Sequence, residues 1–560
     1  MLVAAAYQQA TDPVGGSVGL SAIFAALPLI VLFVLLGGVR MKAQWAALIS
    51  LAVAIVVAIA FYGMPVGQTV LAASEGAVFG LFPILWIVVN AIWLYNLTVK
   101  TGHFAVLRRS FGSISDDQRV QAIIVAFAFG ALIEGLAGFG APVAISAVML
   151  LGLGFQPIKA AVLALIGNTA PVAFGSIATP IITLAEITGL DKDQLGAMAG
   201  RQTPLLALFV PLILVYVVDG RRGVRQTWPA AIVAGVAFAI AQFVTSNYIS
   251  VELTDIVGAL VATAALVAFL RVWSPSDPLV LEGGSGQPAV AGASAHDSTM
   301  EGDIRRRDQE HDSRKDVYEA YAPYIIIVAV FVLAKLITPI ADALAAATIE
   351  FPWPGLDVVT AKGEAPPSAT FKFNWLEAPG TIVLICGIIT MLVLRVGVGR
   401  AIQTYGETLS QLKWAIVTVT AVLALAYVMN TSAMTQTLGA AAAATGGFFV
   451  FLSPIVGWLG VAVTGSDTSS NALFGTLQIT AAEGIGVSQT LLAAANSSGG
   501  VLGKMLSPQN LAIGAAAVGL AGQEGDIFRK VLGWSLVMTL IMCILVVLQA
   551  SVLSFMITGP

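Results

Sequence analysis

Ten apolar runs, each long enough to cross a bilayer, fall near residues 20–38, 43–63, 70–97, 195–218, 228–246, 249–270, 322–345, 379–396, 414–430 and 531–556. A hydrocarbon core about 30 Å thick takes roughly 20 helical residues. Backbone in lipid must satisfy its own hydrogen bonds, so runs of this length have to be α-helices. Two further blocks, 120–190 and 446–522, are as apolar but repeatedly interrupted. Together they predict an all-α polytopic membrane protein of about 12–14 membrane segments. Composition agrees: 58% of the 560 residues are hydrophobic and 10% charged, more apolar surface than a water-soluble fold can bury.

Positive charge orients the spans. The loops 39–42, 98–119, 219–227, 271–320, 395–413 and 523–530 hold 20 of the 27 Lys/Arg, whereas Lys192, Lys362 and Lys372 lie on the other side. The basic side is therefore expected to be cytoplasmic, with both termini external. The N-terminus (MLVAAAYQQATDP) has no positive n-region, so no cleaved signal peptide is expected. Residues 1–19 read as a short external N-terminus and 20–218 as a first membrane repeat. A connecting helical pair (219–271) and a flexible cytoplasmic linker (272–320, Gly/Ser/Pro-rich and then charged) follow. Residues 321–556 read as a second repeat, with an external loop at 348–378 that has room for a short hairpin.

Cys386 and Cys543 both lie in apolar runs, and His103, His296 and His311 all lie in polar segments. No disulfide, metal site or cofactor is expected from them, and nothing points to nucleic acid.

The interrupted blocks recur. Asn96 and Asn430 are 334 residues apart, Glu134 and Asp467 are 333 apart, and Asn168 and Asn496 are 328 apart. Counted through the spans, the two halves run in opposite directions. Two inverted repeats with paired interrupted segments are the sequence sign of a secondary transporter with its site near the membrane midplane. Parity requires an odd number of crossings in each block. One re-entrant hairpin plus one broken span would satisfy it, as would three short crossings.

The interruptions themselves are unusual for lipid. Four helix breaks are expected at 135–142, 167–176, 464–471 and 495–509, carried by Gly135, Gly138, Gly140, Pro142, Pro171, Gly465, Gly499, Gly500 and Pro508. Irregular backbone survives at membrane depth only where it is buried in protein or lines a cavity. The freed N–H groups at a half-helix start carry partial positive charge and suit a carboxylate.

Ionisable groups in these breaks are functional candidates. Lys504 reads either as the partner of a substrate carboxylate or as half of a buried pair with Asp467 or Glu134. Glu134 is the first candidate for the coupling proton, and Asp467 competes with it. Asn168 and Thr169, Ser466, Ser469, Ser470 and Asn471, and Asn496, Ser497 and Ser498 offer groups for a carboxylate and a neighbouring hydroxyl. Each could equally satisfy local backbone. Lys159 and Arg201 are expected near the interfaces, Glu186 and Glu483 near the surface, and Lys335 beside Asp342 or snorkelling.

Four stretches carry a resemblance: EGLAGFGAPVAI (134–145), GNTAPVAFGSIATPI (167–181), TGSDTSSNALFGTLQ (464–478) and ANSSGGVLGKMLSPQNLAIG (495–514). With these, the chain resembles the bacterial lactate permease family over roughly 15–270 and 320–556. The resemblance implies uptake of lactate, and often glycolate, with a proton across the bacterial inner membrane. It also implies an inverted-repeat fold with re-entrant hairpins. A mobile transport domain would work against a scaffold built from spans near 20–63 and 322–396, as a homodimer. Sodium coupling is the close alternative. A Ser–Lys hydrolase using Ser497 or Ser498 with Lys504 leaves two inverted copies unexplained, and a proton-pumping subunit would need more intramembrane ionisable residues than the chain has.

Overall fold

The computed structural model describes residues 6–559 apart from 139, 280–311, 362 and 367–368, and without the side chains of 335 and 336. Most of the predicted linker, Lys362 and the Lys335 side chain lie outside the described residues.

The first half begins with helices α1 (Val18–Phe33), α2 (Ala43–Ala60), α3 (Val66–Phe79), α4 (Trp86–Lys100) and α5 (His103–Gly112). Next come α6 (Gln118–Leu136), α7 (Ala141–Gly152), α8 (Pro157–Gly167), α9 (Gly175–Thr188), α10 (Lys192–Ala199), α11 (Thr203–Tyr248) and α12 (Thr254–Leu270). The second half continues with α13 (Arg314–Leu336), α14 (Thr338–Ala345), α15 (Pro379–Val393), α16 (Val398–Thr431) and α17 (Met434–Ala443). It closes with α18 (Phe449–Thr464), α19 (Asp467–Ile485), α20 (Gln489–Gly503), α21 (Pro508–Ala517) and α22 (Glu524–Gln549). Among the described residues, nine helical stretches are long and apolar enough to cross a membrane.

Two elements differ from the sequence reading, the run 70–97 and the segment 395–413. The run 70–97 is two helices, α3 and α4, with extended backbone at Phe82 between them. As the two runs 195–218 and 228–246 with a loop between them predict, α11 is a hairpin: it leaves helical geometry at Asp219 and Gly220, and Gly235 packs back on the Ala207 carbonyl. The segment 395–413, expected to be a charged loop, is instead the start of α16. One of its faces is held to α4, where Trp93 Nε1 donates to Ala401 O at 3.0 Å and Asn96 to Thr408 at 2.9 Å. Its charges therefore sit on the solvent side of a helix.

Contacts between helix ends define two faces. On one, Arg109 pairs with Asp312 (2.7 Å), Arg222 pairs with Asp277, and buried Arg119 bonds Asp117 (2.6 Å) and Asp219 (3.1 Å). This is the basic face. On the other, the N-terminal strand β1 (Tyr7–Gln8) pairs in parallel with β3 (Val358–Val359). The expected hairpin in 348–378 is present as β2 (Ile349–Pro352) antiparallel to β4 (Thr370–Phe373). There Tyr7 reaches Tyr62 O beyond the end of α2, and Gln9 reaches Asn430 O at the end of α16. The C-terminal segment joins this terminal face through Arg201 to Met556 O and Thr558 to Gln194 O.

The interrupted blocks sit between these faces. α6 enters from the basic face and α7 returns to it, since Gln118 bonds Leu153 O. α8 starts at the basic face, where Lys159 bonds Val218 O, and α9 runs on toward the terminal face after a 65° bend. In the second half, α18 enters from the terminal face and α19 turns back toward it, its end packing beside α17 at Gly484 and Ala443. α20 descends from the same face, and α21 continues toward the basic face and the start of α22. Each block is thus one re-entrant hairpin and one broken span.

Candidate functional site

All four breaks meet at one cavity of about 520 Å³. Its wall takes Gly140 from the first break, Gly175, Ser176 and Pro180 from the second, Gly465 to Ser469 from the third, and Lys504 with Pro508 to Asn510 from the fourth. Most of these residues belong to the starts of half-helices. Their free N–H groups and helix dipoles make the wall electropositive toward an anion. Ser466 caps α19, accepting from Ser469 N at 3.2 Å, and Ser507 caps α21, accepting from Asn510 N at 3.3 Å. The opposite wall is the α1–α2 loop (Leu36 and Arg40 to Gln44) and α16 (Trp414 to Val419). Because α2 ends at the terminal face, Arg40, Lys42 and Trp414 place the mouth toward the basic face.

Lys504 and Glu134 lie together in this wall. The ammonium donates to Glu134 Oε1 at 2.6 Å, and Asn168 donates to Oε2 at 3.1 Å. The two side chains are only 9% and 4% exposed. Of the sequence alternatives for Lys504, the observed state is the pair with Glu134. Gly175 is what lets the carboxylate lie flat on the second break, since a Cβ there would stand 2.5 Å from Oε1. Next to it, Ser176, Ile177 and Ala178 all take positive φ, a left-handed turn that side chains resist.

Asp467 also lines the cavity. Its Oδ2 accepts from Ser497 at 2.5 Å, and its Oδ1 has no hydrogen-bond partner among the described residues. Ser466 and Ser469 line the cavity with it. The other polar candidates stand behind the wall. Asn471 donates to Pro180 O (3.1 Å) and accepts from Asn496 (2.9 Å), which accepts in turn from Gln478 (3.1 Å). Ser470 bonds Gly457 O and Thr169 bonds Ile166 O. Ser498 is fully buried, and its hydroxyl has no hydrogen-bond partner among the described residues. Neither Ser497 nor Ser498 bonds the Lys504 ammonium, as a hydrolytic Ser–Lys pair would require.

Among the predicted break residues, Gly138 and Gly140 (φ +53° and +84°) and Gly465 (φ +77°) end or start helices with left-handed backbone. Pro142 and Pro508 stand in first turns, and Pro171 precedes a 3-10 turn. Gly135, Gly499 and Gly500 are a correction: all three lie inside continuous helices. They serve close packing instead. A Cβ would meet Asp255 from Gly135, the Pro454 backbone from Gly499 and the Asp467 carboxylate from Gly500. The fourth break lies later, at Lys504–Ser507.

Sequence reasoning missed Asp255 on α12, which is 1% exposed, and Glu75 on α3, also 1% exposed. Both were legible as acids inside apolar runs, Glu75 alone and Asp255 one turn after Glu252, a signal that marks a functional candidate.

Comparisons with known proteins place the chain in a family. A family model described as L-lactate permease matches residues 21–553. A protein of Escherichia coli strain K12 named glycolate permease GlcA is 45% identical over 558 residues, covering 98% of each chain. An L-lactate permease of the same organism is 43% identical, covering 98% of this chain and 99% of that one. An L-lactate permease of Bacillus subtilis strain 168 is 41% identical, covering 98% and all of its length. Among solved structures, the YdaH transporter of Alcanivorax borkumensis aligns over 86% of this chain and 87% of its own, at 14% identity and a TM-score of 0.42. That likeness is too loose to locate any residue. With apolar spans throughout and family resemblance from end to end, the chain is a multi-pass membrane protein that belongs to the L-lactate permease family.

Proposed function

We propose that this chain imports L-lactate, and D-lactate or glycolate as close relatives of it, together with one proton. The observation that carries the reading is the Lys504–Glu134 pair in the wall of a cavity built from half-helix starts. A 2-hydroxymonocarboxylate entering this cavity competes with Glu134 for the ammonium. Once Lys504 holds the substrate carboxylate, Glu134 is a buried anion without its cation, and taking a proton relieves that state. Substrate anion and proton then load together, and the loaded site carries no added net charge. Ser466 and Ser469 are within the same wall to accept from or donate to the 2-hydroxyl, with Asp467 beside them.

The positive-inside rule assigns the basic face to the cytoplasm, so both termini are external and the membrane is the bacterial inner membrane. In this conformation the cavity faces inward. The two interrupted blocks read as inverted copies, because one offers its hairpin to the basic face and the other to the terminal face. Exchange of conformations between such copies yields alternating access.

The test is uptake of labelled L-lactate into vesicles under an imposed pH gradient, for wild type and Glu134→Gln. Wild type should accumulate lactate. The variant should still exchange lactate but no longer accumulate it. A variant that accumulates as wild type does removes Glu134 from coupling. A wild type indifferent to the pH gradient removes proton symport.

A further inference from the structure

The second arm of α11 leaves the basic face with the sequence GRRGVRQTWPA (220–230). Arg221, Arg225 and Trp228 follow the spacing i, i+4, i+7 and so share one side of the helix. Beside them, Arg222 pairs with Asp277, and Gln226 accepts from the buried Arg119. Arg119 also donates to Asp277 O at 2.6 Å, and Leu279 N donates to Asp117 at 3.0 Å. The segment 273–279 after α12 is thus fastened to the start of the arm. Between them lies a cleft of about 680 Å³, lined by Arg221, Arg222, Arg225 and Trp228 on one side and Trp273 and Ser274 on the other. None of these residues lines the substrate cavity.

The charge in this cleft is unbalanced. Asp277, the carboxylate beside it, is taken by Arg222. Arg221 and Arg225 are exposed and have no ion-pair partner among the described residues. Two guanidinium groups one turn apart on one helix side offer planar forks to the oxygens of a phosphate.

What lies deeper distinguishes a lipid from a soluble anion. Trp228 is about 4.5 Å further along the arm than Arg225 and is 53% exposed. Val236, Ile240 and Val244, at steps of four beyond it, are exposed as well. Across the cleft, Trp273 stacks on Phe269 with ring centroids 5.2 Å apart. Arginine, tryptophan and then an aliphatic stripe follow the order of headgroup, interface and acyl chain in a leaflet. We propose that this cleft binds an anionic phospholipid of the leaflet on the basic face. Its phosphodiester sits between Arg221 and Arg225, and an acyl chain lies along Trp228 and Ile240. The lipid neutralises the two unpaired arginines, as basic pockets between membrane helices do with acidic headgroups, and ties the α11–α12 pair to that leaflet.

The experiment uses the purified full chain in detergent, with dioleoyl phosphatidylglycerol as the probe and dioleoyl phosphatidylcholine as its neutral counterpart. Retained lipid is counted by native mass spectrometry, and melting temperature is read beside it. Wild type should retain phosphatidylglycerol in preference and melt higher with it. Arg221→Gln with Arg225→Gln should lower that retention at least about tenfold. Arg314→Gln with Arg400→Gln, which removes two exposed arginines elsewhere on the basic face, should leave it unchanged. No preference in wild type, or equal losses in the two double variants, overturns the site. Inorganic phosphate that displaces the lipid and raises the melting temperature as much makes this a free-phosphate site and overturns the lipid assignment. If the first double variant does not fold, Arg225→Gln alone is read: a loss of at least about threefold supports the site, and wild-type retention overturns it.

Discussion

Lys504 and Glu134 are 370 residues apart in sequence and 2.6 Å apart in the structure. The contact joins the fourth break to the first, so the central ion pair of the site is also a bond between the two halves of the chain. Removing one partner leaves the other buried and unpaired, a cost of about 3–5 kcal/mol. Lys504→Met and Glu134→Gln should each lower thermal stability in detergent. The double variant Glu134→Gln with Lys504→Gln should recover most of that stability and still fail to bind lactate. Recovery of binding in the double variant would remove the pair from substrate recognition.

The glycines of α20 make a second, purely steric prediction. Gly499→Val drives a side chain into the Pro454 backbone of α18, and overpacking of this kind costs about 1–3 kcal/mol or more. Gly447 has nothing within 4 Å of its Cβ position, so Gly447→Ala should change stability by less than about 0.5 kcal/mol. Folded yield and melting temperature of the two variants, purified side by side, check the contrast.

Two neighbouring serines should separate recognition from support. Ser497 bonds the cavity carboxylate of Asp467 at 2.5 Å, whereas Ser470 bonds Gly457 O away from the cavity. Ser497→Ala should raise the KM for lactate by about tenfold, the equivalent of about 1.4 kcal/mol. Ser470→Ala should lower stability and leave KM within about twofold. Equal effects on KM would contradict the assignment of Asp467 to the substrate.

On the basic face, Asp117 just outside α6 offers a pH test. Burial pushes its carboxyl up, but the Arg119 guanidinium and the N–H groups of Leu279 and Val120 outweigh burial and hold it below the usual carboxylate range. A lowered folded value stabilises the protein above the unfolded carboxylate value and is lost as pH falls through the folded one. Its contribution should therefore persist at neutral pH and disappear only below about pH 4. Asp117→Asn should lower the melting temperature at pH 7 and narrow the gap to wild type in acid. An unchanged gap would mean the Arg119 cluster does not depend on that charge.

Much of this was legible because membrane chemistry punishes irregularity. Glycine, proline and hydroxyl residues in an apolar block announced the four breaks, and a lysine there announced a buried partner. The same logic could not tell a glycine that breaks a helix from one that lets two helices touch. That difference depends on Pro454 and Asp467, which are remote in sequence from Gly499 or near it only after folding. Asn471 and Asn496 likewise carry the chemistry of a binding site but turn away from it, because a side chain's direction follows from helix phase against neighbours that sequence does not name. The α16 extension was hidden by its charges, which mark solvent but not whether the backbone beneath them is helical.

The amide ladder through Pro180, Asn471, Asn496 and Gln478 has a mechanical meaning. It fastens the second break to the third and fourth helix pairs, and Lys504 fastens the first break to the last. The breaks are thus tied into one block, and in the transport reading proposed above the substrate would ride in it without changing its contacts. In that reading the joint that slides is the one between the block and the cavity's other wall, the α1–α2 loop with α16. A cross-link inside the block should leave transport intact, whereas one from Trp414 to Gln509 across the cavity should stop it.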